Sequence, residues 1–388
     1  MSLQSVETFV IRHREDGHLD LDDEGLPDRP YQFDEFGRFY PEGLEALLVR
    51  LETTDGTVAW GEAQAPAGPE VVQTIIDRLL GPFLLDRENL EPTTCHDEMV
   101  DTMCVRGHEY GFFADAVAAL DIALWDLKGK QHGASISELL GGPQRARLPA
   151  YLSGLRAENL DERVEGAQRA VNNGFEGVKL YLRDDPVTER EQVEAVRETV
   201  GPEPELFTDL FWAHDLPSAT RMGKILSAVD AAWMEAPLGA SERTAHARLA
   251  DTIDVPIAVG EPFRTAEQFE KWISAGAMSV AQPDIPRTGI TDGRRVAELA
   301  DRAGVPIAPH LGGSFGIGMV ATWHLSAAVD NAIIQEHQQR WYDASQDFLK
   351  GVTIENGEAV LPDGAGLGVS VDRDALDELT DGSVTIER

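Results

Sequence analysis

The sequence predicts an α/β protein built on a parallel β/α barrel, preceded by a smaller α+β domain. Three observations carry this. From about residue 148, short β-rich runs alternate with helical stretches: LPAYLSGL, GVKLYL, ELFTDL, AAWMEA, IAVGE, MSVAQPD, PIAPH and AIIQEH. Eight strands with intervening helices spell a parallel sheet, and a closed barrel is its natural form at 388 residues. The polar residues ending these runs are also evenly spaced. Asp209, Glu235 and Glu261 lie 26 residues apart, as do Asp284, His310 and Glu336, with 23 residues between Glu261 and Asp284. A period near 26 is one β/α unit. Finally, GFEGVKLYLRDD alternates apolar Val178, Leu180 and Leu182 with Lys179, Tyr181 and Arg183. That is the period-2 pattern of a half-buried strand, so Lys179 and Tyr181 share one face.

The elements follow in order. Residues 4 to 62 read as strands, with Thr-Asp-Gly turn chemistry joining two β-rich runs in ALLVRLETTDGTVAWGEA. Residues 13–43 are polar and rich in Gly and Pro, and a loop of that length reads as a lid. From 69 to 140 the patterns are helical, as in GFFADAVAALDIALWDLKGKQHG, whose apolar face is broken by Asp115, Asp121 and Asp126. The expected organisation is a capping domain over 1–140, a barrel over 141–350 and a C-terminal segment over 351–388. That last segment, a short hairpin, a Gly-rich turn and an acidic tail, is expected to pack back on the cap.

Composition narrows the partners. The chain carries 68 acidic and 33 basic residues, a net charge of −35, and only six of the basic residues are lysine. Such a surface repels nucleic acid and anionic membranes. At molar salt the Debye length falls to about 3 Å, so the acidity reads as adaptation to a high-salt cytoplasm. No apolar run reaches the roughly 18–20 residues of a membrane-spanning helix. The N-terminus MSLQSVETFV lacks the layout of a signal peptide. Two cysteines, Cys95 and Cys104, give neither a disulfide framework nor a zinc pattern, which fits a reducing cytoplasm. In a chain that avoids lysine, Lys179 on a strand calls for a reason.

In a β/α barrel, strand ends converge on one face. Three carboxylates there, Asp209, Glu235 and Glu261, suit a hard cation such as Mg²⁺, which prefers oxygen ligands. Asp284 near His310 would hold the imidazole tautomer and raise its basicity. His310 stands before glycines in APHLGG, where a ligand could approach. Lys179 could serve as a base, its pKa lowered by the cation and by partial burial.

These pieces resemble the enolase superfamily, and within it the mandelate racemase-like branch. The resemblance rests on WGEA (60–63), DIALWDLKGK (121–130), GVKLYL, FTDL, WMEAPL, VGEPF, QPD, APH and IQEH, in order over nearly the whole chain. It implies a (β/α)7β TIM-like barrel with an α+β capping domain. It also implies Mg²⁺ held by Asp209, Glu235 and Glu261, an Asp284–His310 dyad, and abstraction of a proton α to a substrate carboxylate. A Lys or His base with Mg²⁺ stabilising an ene-diolate is the superfamily's known pattern. Glu336 would hydrogen-bond the substrate carboxylate, which requires that it be protonated or act through another donor. Homo-oligomers are common in the family.

One position departs from the pattern. Many members carry Lys-x-Lys where this chain has Lys179-Leu180-Tyr181. A racemase needs a base on each face of the ene-diolate, and tyrosine, with an ordinary pKa near 10, serves only if that value is depressed. Some acid-sugar dehydratases of the superfamily resemble the Lys-x-Tyr arrangement. The leading expectation is therefore an acid-sugar dehydratase acting on galactarate or a similar diacid, with a racemase or epimerase of 2-hydroxy acids as the alternative. Tyr181 is either the base or a group that lines the pocket and orients a hydroxyl. In VRGHEYGFF, His108 and Tyr110 are candidate cap contacts to substrate.

Overall fold

The structure, a computed structural model, describes residues 2–13, 31–33, 38–41, 43–142, 145–155, 157 and 159–388. Most of the expected lid lies outside the described residues. Of it, Tyr31–Phe33 pairs antiparallel with Phe39–Pro41, and Arg38 donates to the carbonyl of Phe211 on the barrel.

The barrel follows the strand order of the sequence. Arg147–Ser153, Gly177–Tyr181, Glu205–Asp209, Trp233–Glu235, Ile257–Val259 and Val280–Ala281 pair successively and in parallel. Gln335–Gln338 pairs in parallel with Arg147–Ser153. Between them Ile307 makes single bridges to Ala281 and Ala332, and Asp284 bridges His310. The expected seventh strand is thus reduced to isolated bridges.

Side chains alternate across a strand, and this sorts the residues into layers. Val178, Leu180, Leu206, Met234, Ile257 and Val259 face outward and join helix residues such as Val193, Met222, Leu226 and Phe269 in one core. Facing inward, Tyr151, Phe207, Trp233, Ala258, Val280, Ala308 and Ile334 form a smaller apolar cluster. Its rings are closely packed, with Phe207 and Trp233 centroids 4.0 Å apart. Two residues further along these strands stand Ser153, Asp209, Glu235, His310 and Glu336. The apolar cluster is the floor on which the polar layer rests.

The cap sheet is antiparallel, in the order Thr380–Glu387, Leu3–His13, Leu44–Thr53, Val58–Ala63. The Thr-Asp-Gly turn is present, with Gly56 N–H donating to the Thr53 carbonyl. The C-terminal segment divides. Its last strand completes the cap sheet, whereas the hairpin Thr353–Val360 pairs with the first barrel strand rather than the cap.

The three aspartates on the helix Phe112–His132 are buried and hold distant elements together. Asp115 pairs with Arg264 at 3.0 Å. Asp121 accepts from the Thr291 hydroxyl at 2.6 Å and backbone N–H at 2.9 Å. Asp126 accepts from the backbone of Trp60 and Leu367. Asp121 comes so close to the helix Ile285–Arg302 that a Cβ at Gly289, where φ is +71°, would lie 2.6 Å from its carboxylate. Only glycine satisfies both demands. Glu62 likewise accepts from the N–H groups of Phe315 and Gly318 and from the Ser314 hydroxyl, at the start of the helix Ile317–Ala328.

His324, buried in that helix, is hydrogen-bonded to the Leu367 carbonyl at 3.1 Å. Burial pushes its pKa down to about 4. Below pH 6.5 the unfolded chain takes up a proton at this site that the folded chain refuses until about pH 4. Stability is therefore lost as pH falls through that window, by about 3 kcal/mol at full extent. In denaturant titrations, the stability advantage of the wild type over His324→Gln should shrink steadily between pH 6.5 and 4. A gap independent of pH would contradict this assignment.

Candidate active site

Lys179 lies inside the barrel, 1% exposed. Its ammonium sits 2.9 Å from Glu235 Oε1, 2.8 Å from Glu336 Oε1 and 4.0 Å from Asp209 Oδ2. Burial alone would lower its pKa, but Glu235 and Glu336 outweigh burial and hold it well above the ordinary value. The lowered value expected from the sequence invoked a bound cation, and the carboxylates by themselves act in the opposite direction. The carboxylates around it stabilise the charged form of Lys179.

Asp209 and Glu235 are the last residues of adjacent strands, and Glu261 follows Ile257–Val259 after one glycine. Burial, then the neighbouring Glu235 charge, pushes Asp209 up to about 7. Glu235 Oε2 accepts from Gln282 at 2.7 Å, and Glu261 Oε2 from the Trp212 indole at 3.2 Å. Glu261 is held down to about 2, burial being outweighed by His310 and Arg287. Phe211, Trp212 and Ala236, all non-glycine residues with φ between +48° and +58°, lie just beyond Asp209 and Glu235. Such strained backbone persists only where the surroundings over-determine it, and it clusters at functional sites.

All donors in this set are carboxylate oxygens, and their mutual crowding raises Asp209. That chemistry fits a hard divalent cation. Glu235 is engaged by Lys179 and Gln282, and Glu261 by Trp212. No group of three acidic, histidine or cysteine side chains is gathered as a ready-made metal cage among the described residues.

Opposite this group, Asp284 Oδ2 lies 2.7 Å from His310 Nδ1. Asp284 is fully buried and His310 nearly so. With Nδ1 engaged by the carboxylate, Nε2 is the ring nitrogen free to exchange a proton. Burial lowers the imidazole pKa, but the charges of Glu336, Asp284 and Glu261 overcome it and raise it to about 9. Glu336 accepts from the Leu311 N–H at 2.8 Å. Lys179 and His310 hold its carboxyl below the usual range against the effect of burial. The protonated Glu336 that direct donation to a substrate carboxylate requires is therefore not what this environment favours. Lys179 stands paired with it at 2.8 Å.

Tyr181 projects into the same interior two residues beyond Lys179. Its hydroxyl lies 3.1 Å from Ser153 Oγ and 3.4 Å from Gln338 Nε2, and its ring packs edge-on against Phe211. Burial pushes its pKa up to about 12 despite the nearby ammonium of Lys179. This weighs against the depressed value that a tyrosine base needs. Tyr110 is not brought into contact with these groups. Tyr110 is 42% exposed and lines a cavity with Arg243, Lys271 and Trp272, apart from the dyad and the carboxylates. The cavity is lined by the loops after Trp233–Glu235 and Ile257–Val259 and by the helices that follow them.

The structure adds residues that the sequence did not single out. Gln64 of the cap accepts from Arg287 Nε at 2.7 Å. Arg287 in turn donates to the Glu261 carbonyl at 3.1 Å and stands 4.0 Å from Asp284 Oδ2. Arg287 lies three residues after Asp284, one helical turn on, the one spacing that could have flagged it.

Comparison with known proteins agrees with this architecture. The Enolase C-terminal domain-like family matches residues 162–375. The Mandelate racemase / muconate lactonizing enzyme N-terminal domain matches 44–141. The chain is 30% identical to D-galactarolactone cycloisomerase of Agrobacterium fabrum, over 97% of this chain and 98% of that protein. It is 29% identical to arabinonate dehydratase of Saccharolobus solfataricus, over 86% and 90%. A solved putative isomerase from Sinorhizobium meliloti superposes with a TM-score of 0.90 at 32% identity, covering all of both chains. A racemase from Streptomyces coelicolor with bound magnesium superposes at 0.84 and 25% identity, over 97% of this chain and 99% of that one. With one family over the cap, the other over the barrel, and both joined in the expected order, the chain belongs to the enolase superfamily, in its mandelate racemase/muconate lactonizing enzyme branch.

Proposed function

We propose that the protein is an acid-sugar dehydratase, removing the proton α to a carboxylate and expelling the β-oxygen to give a 2-keto-3-deoxy acid. The observation that carries this reading is the buried His310–Asp284 pair, 2.7 Å apart, across the barrel from Lys179 and three carboxylates. Of the three candidate bases, His310 parts with its proton most readily. Its pKa stands at about 9, against about 12 for Tyr181 and a Lys179 held well above its ordinary value. Neutral His310 takes the α-proton at Nε2 while Asp284 stabilises the resulting imidazolium. The electron pair of the broken C–H bond forms the C=C bond as the β C–O bond breaks. His310 then returns the proton to the departing oxygen, and the enol tautomerises to the ketone.

Lys179 contributes a fixed positive charge where the substrate carboxylate gains ene-diolate character. Asp209, Glu235 and Glu261 would hold Mg²⁺, which supplies further positive charge to that developing oxyanion. Racemisation needs a second acid–base group on the opposite face, and Lys179 and Tyr181 are the two side chains that stand there.

Incubation with an acid-sugar library and Mg²⁺, read by semicarbazide trapping of 2-keto acids, tests the proposal. The expected result is a 2-keto product from one or more aldonates or aldarates, galactarate among them. Solvent deuterium incorporation with no 2-keto product would establish racemisation instead. Glu235→Gln should reduce Mg²⁺ affinity on the order of a hundredfold in calorimetry, because it removes one of three charged ligands.

A second reading is favoured by the near full-length match to a cycloisomerase. There the expelled β-oxygen belongs to a lactone ring. The same His310 step applies, since only the leaving group differs. Including aldarolactones in the library, assayed before they hydrolyse, separates the two.

A further inference from the structure

Tyr181 opens on a space that the catalytic carboxylates and the dyad do not line. A cavity of about 810 Å³ is bounded by Ser153, Gly154, Leu155, Tyr181, Gln338 and Trp341, together with parts of the cap strands and the helix Leu160–Asn172. That is within the range of about 300–1,000 Å³ usual for small-molecule pockets. Its inner end is a cluster of neutral hydrogen-bonding groups. The Tyr181 hydroxyl lies 3.1 Å from Ser153 Oγ and 3.4 Å from Gln338 Nε2. These residues come from the first, second and last barrel strands, at positions facing inward beside the catalytic layer. Gly154, with φ +74°, keeps the entrance open. A Cβ there would stand 3.3 Å from both the Tyr181 hydroxyl and Gln338 Oε1.

Charged groups on the outer wall include matched pairs: His13 lies 3.5 Å from Asp347, and Arg169 lies 3.6 Å from Glu165. The inner cluster thus offers a hydroxyl, a phenol and an amide, each able both to donate and to accept. Such a set recognises hydroxyl groups, which also do both.

We propose that this cavity is the subsite for the polyhydroxylated tail of the acid sugar, with Ser153, Tyr181 and Gln338 binding tail hydroxyls. The inference rests on the dehydratase reading and extends it. His310 and Lys179 act on the carboxylate end, while the distal carbons pass Tyr181 into the cavity. Tyr181 is then a specificity residue rather than the base, and the Lys-x-Tyr departure from Lys-x-Lys replaces a second base with a hydroxyl-binding group.

The test compares substrates of different tail length. Calorimetric dissociation constants are measured for glycerate, which has no tail, and for xylonate, galactonate and galactarate. The proteins are the wild type, Ser153→Ala, Gln338→Ala and Tyr181→Phe, each in Mg²⁺. The wild type should bind the best long acid at least tenfold more tightly than glycerate. Each variant should lower that ratio about fivefold, the value of one lost hydrogen bond. In turnover the loss should fall on KM. An unchanged ratio in all three variants, with acid-sugar turnover intact in the wild type, overturns the subsite alone. A collapse of kcat in Tyr181→Phe assigns that residue the base role and overturns the specificity role. No binding or turnover of any acid sugar by the wild type removes the dehydratase reading, and the subsite with it.

Discussion

His310→Asn is expected to lower kcat on the best acid sugar by about three orders of magnitude or more. A positioned acid–base group contributes roughly 10²–10⁴ to a rate, and in the proposed elimination His310 moves the same proton twice. Asparagine keeps a polar side chain of similar reach beside Asp284, so the loss does not arise from an orphaned buried carboxylate. Affinity for the substrate should change much less than kcat, because the tail and carboxylate contacts lie elsewhere. Loss of the α-proton from the substrate, followed by NMR, should vanish in parallel with turnover. Continued loss of the α-proton in His310→Asn would mean that another residue removes it, and Tyr181 would be the first to re-examine. Asp284→Asn should cost less than His310→Asn. It removes the charge that stabilises the imidazolium but leaves the ring in place.

The dyad was legible in the sequence because its signal is periodic. A residue at the end of a barrel strand faces the interior whenever the residue two before it does, and a 26-residue spacing repeats that placement from strand to strand. Ala308 and His310 illustrate this, as do Phe207 and Asp209, and Ile334 and Glu336: an apolar floor residue, then a polar one. Lys179 was found by the same alternation, but its ionisation is set by neighbours that the alternation does not reveal. The direction of a pKa shift depends on distances to Glu235 and Glu336, which lie 56 and 157 positions away along the chain. Gln64, Gln338 and Trp212 carried no signal. A neutral amide or an indole has no spacing rule of its own, and only the fold brings it to a carboxylate or a hydroxyl. Tyr110 shows the converse. Polar and aromatic residues in a Gly-containing loop suggest a site, yet the sequence does not say which part of the barrel that loop overlies.

Lys179→Met is expected to destabilise the metal-free protein by about 3–5 kcal/mol at neutral pH, the usual cost of removing one partner from a buried ion pair. For a chain of this length that corresponds to a fall in Tm on the order of 5 °C. Methionine fills a similar volume, so the loss is electrostatic rather than a cavity effect. It leaves Glu235, Glu336 and Asp209 crowded together, with no cation between them. Such carboxyls take up protons in the folded variant more readily than in its unfolded chain, so the variant's stability should rise as pH falls from 8 toward 5. The wild type behaves otherwise. Lys179 is held well above its ordinary pKa of about 10.5, so its contribution is complete below that value and is lost only in strong alkali. The gap between the two proteins should therefore be widest near pH 8 and narrow on acidification. Adding Glu336→Gln to the variant should restore part of the loss, because it removes one of the charges that Lys179 neutralises. An equal Tm for wild type and variant at pH 8, without metal, would show that the ammonium is not what holds these carboxylates together.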